Sequence, residues 1–115
     1  MVLDEMLGDL EVLEVPAAHR FEARAADGEL VGVAEYQQMG DAIAFTHTEV
    51  PPEHGGHGVA SRLVGASMDL VRESGRQVIA YCPYVRAWLT RHPEYQDLVA
   101  RPRSRQAPRP EQTRA

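Results

Sequence analysis

Hydrophobic and polar residues alternate between residues 21 and 50 with the period of two that marks half-buried strands. Strands are predicted over residues 21–26, 30–36 and 42–50. Asp27-Gly28 favours a tight hairpin turn, and Met39-Gly40-Asp41 supplies a second turn. Pro51-Pro52 ends the third strand because proline cannot donate to a sheet ladder. This segment therefore predicts an antiparallel β-meander.

The period changes after residue 58, where apolar residues recur at the three- and four-residue spacing of a helix. We predict a helix that starts at Val59 and stops at Gly75. An interior strand over 77–82 and a short helix over 85–91 follow. A helix that connects two strands makes them parallel. The predicted fold class is therefore α/β (α+β), with a meander, a strand–loop–helix–strand unit and a short C-terminal helix.

The two ends of the chain carry weaker patterns. Residues 1–17 hold a short apolar pattern with acids and are predicted to form an N-terminal arm, a loose helix or an extra strand. Residues 100–115 hold five arginines and three prolines without a large apolar residue, which predicts a disordered tail. The folded domain is expected over residues 18–99.

Composition narrows the classes of function. The chain has 115 residues, of which 43% are hydrophobic and 25% charged, as in one ordinary soluble domain. Its net charge is −5, and the last fifteen residues are basic, so the acidic remainder is a poor binder of nucleic acid. No run approaches the ~18 apolar residues of a membrane span, and the acidic start is unlike a signal peptide. We expect a cytoplasmic protein with no nucleic-acid or membrane partner, and its oligomeric state stays open.

Cys82 is the only cysteine, which excludes an internal disulfide and a multi-cysteine zinc site. A single thiol also suits a reducing compartment such as the cytoplasm. His54 and His57 share the spacing of a metal pair, but no third ligand stands out in the sequence. We therefore expect no metal.

A glycine-rich loop lies between the third strand and the first helix. Gly55, Gly56 and Gly58 allow close backbone approach, and the free N–H groups of a helix start attract anions. The chain has no lysine for a P-loop, and the glycine spacing is not that of a Rossmann fingerprint. A plain connection is the alternative interpretation of this loop.

The predicted topology places two potentially reactive side chains at the same edge of the sheet. His47 lies near the end of the third strand and Cys82 ends the fourth, at the edge where open α/β sheets bind ligands. His47 is a candidate general base, and Cys82 is a candidate acyl acceptor or proton donor. A buried structural cysteine and a solvent-facing histidine are the alternatives.

Six short motifs follow one another in order within residues 18–99. They are Phe21-Glu22-Ala23, Ala34-Glu35-Tyr36, Phe45-Thr46-His47-Thr48-Glu49-Val50, Gly56-His57-Gly58-Val59-Ala60-Ser61-Arg62-Leu63, Cys82-Pro83-Tyr84-Val85 and Arg91-His92-Pro93-Glu94-Tyr95. Together they resemble the GNAT superfamily of N-acetyltransferases, and within it the short stand-alone proteins with a YjdJ-type domain. Gly58 and Ala60 match the Q/R-x-x-G-x-G/A signature of that superfamily, whereas Gly55 replaces its usual Gln or Arg.

The resemblance implies a truncated GNAT fold that binds acetyl-coenzyme A and transfers its acetyl group to an amine that the sequence does not identify. It implies that the pyrophosphate lies at the glycine loop, that His47 and Cys82 form the active-site pair, and that a bulged strand exposes backbone donors for the carbonyl. The residues implied for the coenzyme are Thr48, Glu49, Val50, Gly55, Gly56, His57, Gly58, Val59, Ala60, Ser61 and Tyr84.

Two alternatives come from other classes of protein. A non-catalytic acyl-coenzyme A sensor is favoured by the short length of the chain. A self-acylating or thioesterase-like protein would act through Cys82. Amine-dependent release of thiol, thermal protection without turnover, and a covalent adduct would distinguish the transferase, the sensor and the self-acylating protein, respectively.

Overall fold

A computed structural model of the chain describes residues 10–55 and 58–100, which form one five-stranded sheet with helices packed against it. The strands are β1 (Glu11–Val15), β2 (Arg20–Arg24), β3 (Leu30–Met39), β4 (Ala42–Glu49) and β5 (Gln77–Ala80). The helices are α1 (Val59–Glu73) and α2 (Pro83–Arg91), with 3-10 turns at Pro16–Ala18, Pro52–His54 and Pro93–Leu98. The strands stand side by side in chain order, antiparallel from β1 to β4 and parallel between β4 and β5. The predicted α/β class is confirmed.

The first hairpin turn is longer than the two-residue Asp27-Gly28 turn that the sequence predicts. Ala25 N–H donates to the carbonyl of Glu29 at 2.9 Å, which leaves residues 26–28 as a three-residue loop. Gly28 adopts a φ of 89°, the left-handed conformation that the third loop position requires. The prediction of a turn is confirmed, but its length is wrong because the ladder closes one residue earlier on β2.

The described part of the N-terminal segment contains β1 and the start of the 3-10 turn that follows it. Residues 1–9 lie outside the described ranges, as do residues 101–115 with the predicted tail. Arg76 donates two hydrogen bonds to Glu14 of β1, at 2.8 and 3.0 Å, and Tyr36 Oη donates a third at 2.5 Å. The Arg76 guanidinium holds the pKa of Glu14 below its ordinary value. Burial and the bond to Glu14 raise the pKa of Tyr36 to about 12. These contacts fasten β1 to the rest of the sheet.

Helix α1 packs its apolar stripe against one face of the sheet, which we call the helix face. The buried residues of α1 are Val59, Leu63, Val64, Ser67, Met68 and Val71, as the predicted period requires. Gly32 of β3 lies directly beneath the helix, and a Cβ there would come within 3.3 Å of the Leu63 side chain. Among the described residues no helix is long and apolar enough to cross a membrane.

The chain turns from β5 into α2 earlier than the sequence predicts. β5 ends at Ala80 rather than at Cys82, and α2 begins at Pro83 rather than at Val85. Proline suits a first helical position because the donor that it lacks would have no partner there. Cys82 thus precedes the first residue of α2, and Arg86 N–H donates to its carbonyl at 3.0 Å.

Candidate active site

A gap lies beside the end of β4 because β5 ends at Ala80, opposite Phe45. The N–H groups of Tyr81 and Cys82 still donate to the carbonyl of Phe45, at 3.0 and 2.9 Å, before the chain turns into α2. The parallel pairing of β4 with β5 runs from Ala42 opposite Gln77 to Phe45 opposite Ala80 and stops there. β4 continues to Glu49 and stays paired with β3 alone. One edge of its last four residues therefore has no strand partner among the described residues. Its backbone groups are free to meet a ligand.

A β-bulge at Thr46 decides which side chains of β4 face this gap. Tyr36 of β3 lies opposite Phe45 and Glu35 lies opposite His47, so Thr46 is an extra residue on β4. Side chains of successive residues alternate between the two faces of a strand. Because of the extra residue, Phe45 and Thr48 share the helix face.

The thiol of Cys82 lies next to Thr48 on the helix side of the gap. Thr48 Oγ1 is 3.5 Å from Cys82 Sγ, within hydrogen-bond range for sulfur, and either atom can be the donor. Cys82 is 4% exposed. The sequence predicts Cys82 and Thr48 as site residues separately, and the structure brings them into contact.

His47 and Glu49 lie on the opposite face of β4 from Thr48. Their side chains are 56% and 67% exposed, and His47 Nε2 is 3.5 Å from Glu49 Oε1. The resemblance implies that His47 and Cys82 form the active-site pair, which stays a prediction, and the described contact of His47 is with the carboxylate of Glu49. His47 and Glu49 nevertheless border the same gap, from its other side.

A cavity of about 240 Å³ lies where the glycine loop meets α1. Its lining is Val50, Gly55, Gly58, Val59, Ala60, Ser61 and Tyr84. Seven of the residues predicted for the coenzyme are thus brought together. Gly56 and His57 lie outside the described residues, Thr48 lies beside Cys82, and Glu49 lies on the other face.

Gly58 stands at the N-cap of α1 with a φ of 76°, the left-handed region that favours glycine. No side chain of a described residue caps the helix start, and the described lining of the cavity carries no charged side chain. The attraction of this cavity for an anion therefore comes from backbone N–H groups and the helix dipole.

Trp88 links α2 to the cavity lining, a contact that the sequence analysis does not predict. Its Nε1–H donates to Ser61 Oγ at 3.1 Å, and its ring stacks on His92 with centroids 3.9 Å apart. Ser61 accepts this bond and keeps its own proton for donation. A buried Trp usually has a hydrogen-bond partner for its N–H. The presence of Trp88 in the sequence could therefore have predicted a polar contact, although not its partner.

The described part of the chain shows no group of metal ligands near this site. Within residues 10–55 and 58–100, no three His, Cys, Asp or Glu side chains converge as they would around a metal ion. The chemical groups that the described site offers are thus backbone donors, one imidazole–carboxylate pair and one thiol–hydroxyl pair.

Comparison with known proteins supplies a family for this arrangement. A family model described as GCN5-related N-acetyl-transferase matches residues 20–98. No curated protein sequence matches the chain significantly.

Three solved structures were compared with this chain. The solution structure of a GCN5-like protein from Staphylococcus aureus superposes with a TM-score of 0.61 at 24% identity, over 85% of this chain and 95% of that one. Nourseothricin acetyltransferase is 30% identical over 62% of this chain and 46% of its own, with a TM-score of 0.43. Ribosomal-protein-alanine N-acetyltransferase from Brucella melitensis biovar Abortus 2308 is 23% identical over 72% and 62%, with a TM-score of 0.46. The first of these structures establishes the GNAT-like fold.

Proposed function

This chain belongs to the GCN5-related N-acetyltransferase family and is an acetyltransferase, and we propose that it transfers the acetyl group of acetyl-coenzyme A to an amine. The observation that carries the proposal is the edge of β4 beyond Phe45, which has no strand partner among the described residues and lies close to the start of α1. The gap beside this edge admits an extended thioester arm, and the adjoining cavity admits its phosphates. The proposed compartment is the cytoplasm.

The pyrophosphate of the coenzyme is proposed to lie in the cavity of about 240 Å³ at the start of α1. Gly55 and Gly58 leave room there, and backbone N–H groups supply the donors. Val50 and Tyr84, which line the same cavity, come from the end of β4 and the start of α2. The cavity is therefore lined by residues that also border the gap, which is the placement that one ligand spanning both would require.

The thioester is proposed to lie in the gap, where free backbone N–H groups of β4 polarise its carbonyl. His47, beside Glu49, takes one proton from the protonated acceptor amine. The amine nitrogen then bonds to the acetyl carbon and the carbon–sulfur bond breaks. Cys82 or Thr48 gives a proton to the departing thiolate and takes up the second proton of the nitrogen in its place. The burial of Cys82 favours this direct transfer over attack by the thiol itself.

The test is release of coenzyme A thiol from acetyl-coenzyme A with and without a panel of amines, beside calorimetric binding of the coenzyme. Binding together with amine-dependent release is the expected result. Binding without release for every amine would assign the chain to the sensor class instead. An acetyl adduct in the intact mass that disappears in Cys82→Ala would replace direct transfer with the covalent route.

A further inference from the structure

A second cavity lies on the sheet face opposite α1, which we call the open face. It has a volume of about 270 Å³ and lies between β2, β3 and the end of β4. Its apolar lining comes from Leu30, Val33 and Pro51, and its charged lining from Arg20, Glu35 and Glu49. The proposed function leaves this cavity without a role.

The guanidinium of Arg20 is held by a carboxylate within the sheet. Arg20 and Arg24 both form ion pairs with Glu22, at 2.7 and 2.9 Å, and these bonds hold the pKa of Glu22 below its ordinary value. Glu22 is 5% exposed, and its one carboxylate serves both guanidinium groups, so it is not available to a ligand. The carboxylates that remain for a ligand are those of Glu35 and Glu49.

Glu35 has no ion-pair partner for its carboxylate among the described residues, and its side chain is exposed. Among residues 10–55 and 58–100, the ion-pair partner of Glu49 is His47, at 3.5 Å. Two carboxylates beside an apolar floor complement a cation attached to an alkyl chain. The charged lining holds two glutamates and Arg20, whose guanidinium already binds Glu22, so the net charge of the lining disfavours a ligand with a carboxylate.

The strand register connects this cavity to the gap. Arg20, Glu35 and His47 lie opposite one another on β2, β3 and β4, in one row across the open face. The next place in the row is the gap that β5 leaves after Ala80. Neighbouring strands are about 4.8 Å apart, so a group held at Glu35 and Glu49 is one strand away from the gap.

We infer that this cavity holds the acceptor, as a primary alkylammonium ion whose chain lies on Leu30, Val33 and Pro51. The inference rests on the proposed function. Glu35 and Glu49 bind the cation, and His47 takes one proton from it. The free amine forms the new bond to the acetyl carbon as the carbon–sulfur bond breaks, and the second nitrogen proton goes to the thiolate of coenzyme A.

The first test is titration of ¹⁵N-labelled protein with n-butylamine hydrochloride, with sodium butyrate as the control of opposite charge. Amide signals of Val33, Glu35 and Glu49 are expected to shift with butylamine and not with butyrate. Glu35→Gln should weaken butylamine binding by about three- to tenfold, the range for a partly solvated charged contact. Glu73→Gln makes the same charge change at the exposed end of α1 and should leave binding unchanged.

The second test repeats these variants in the thiol-release assay. Glu35→Gln should raise the KM for butylamine by the same factor as it weakens binding, with kcat within about twofold. Nα-Acetyl-lysine amide in place of butylamine distinguishes a lysine side chain from a free amine as the source of the alkylammonium group.

Equal KM values or equal shifts with butyrate would overturn the inference, whereas absence of coenzyme binding would overturn the proposed function. Normal coenzyme binding and amine-dependent turnover, with equal KM values in Glu35→Gln and Glu73→Gln, would reject the cavity and leave the proposed function intact. Absence of coenzyme binding would reject the proposed function. The butylamine titration would then still show whether the cavity binds an alkylammonium ion. Shifts that butyrate produces equally would reject recognition of the cation.

Discussion

Alanine at Gly58 should weaken coenzyme binding, whereas alanine at Gly75 should not, although both variants lose a similar stability. The two glycines have φ values of 76° and 77°, and an added Cβ would meet no atom within 4 Å at either site. The loss of stability in both variants therefore comes from placing alanine in a left-handed backbone conformation. This conformation costs alanine about 1 kcal/mol, which lowers Tm by about 5 °C in a domain of this size.

Of these two glycines, Gly58 lines the cavity at the start of α1 and Gly75 does not. A Cβ there would occupy space that we assign to the pyrophosphate and hold it away from the backbone N–H groups. Loss of one hydrogen bond to a charged group costs about 1.5–3 kcal/mol, so affinity should fall about tenfold or more. Gly58→Glu adds a like charge to the same bulk and should weaken binding further.

The assay is calorimetric titration with acetyl-coenzyme A, combined with thermal unfolding of the free protein. Equal losses of Tm with a raised Kd in Gly58→Ala alone are the expected outcome. An unchanged Kd in Gly58→Ala and Gly58→Glu, with both folded, would refute the phosphate assignment. A Tm that drops in one alanine variant only would refute the account of strain.

Two further predictions follow from side-chain contacts. Thr48→Val removes the hydroxyl beside Cys82 with little change of shape, so kcat should fall about tenfold while the coenzyme Kd stays constant. Thr48→Ser should restore most of the rate, and a Val variant as active as the wild type would dismiss the contact. Glu14→Gln should destabilise the protein by about 2 kcal/mol at pH 7, since it breaks the ion pair with Arg76. The folded pKa of Glu14 lies below its ordinary 4.5, so this stability is present above pH 4.5 and is lost as the pH falls through the folded value. Urea unfolding of both proteins at pH 7 and pH 3 should show the difference shrink in acid.

Local patterns were sufficient to predict the meander, the start of α1 at Val59 and the parallel strand that follows. Alternation and helical spacing are properties of neighbouring residues, so a sequence displays them directly. The bulge at Thr46 has no such local sign, because it depends on how β3 and β4 align over their whole length. The point where β5 leaves β4 likewise depends on pairing between residues more than thirty positions apart.

That bulge explains why the sequence could place His47 and Cys82 at one edge of the sheet yet not describe how they are arranged. One extra residue sends Thr48 to the helix face, beside Cys82, and leaves His47 and Glu49 on the open face. A thioester in the gap would then have a base on one side and a thiol–hydroxyl pair on the other. In direct transfer the amine enters and the thiolate leaves along different directions, so groups divided between two faces can serve both steps without competing for one position.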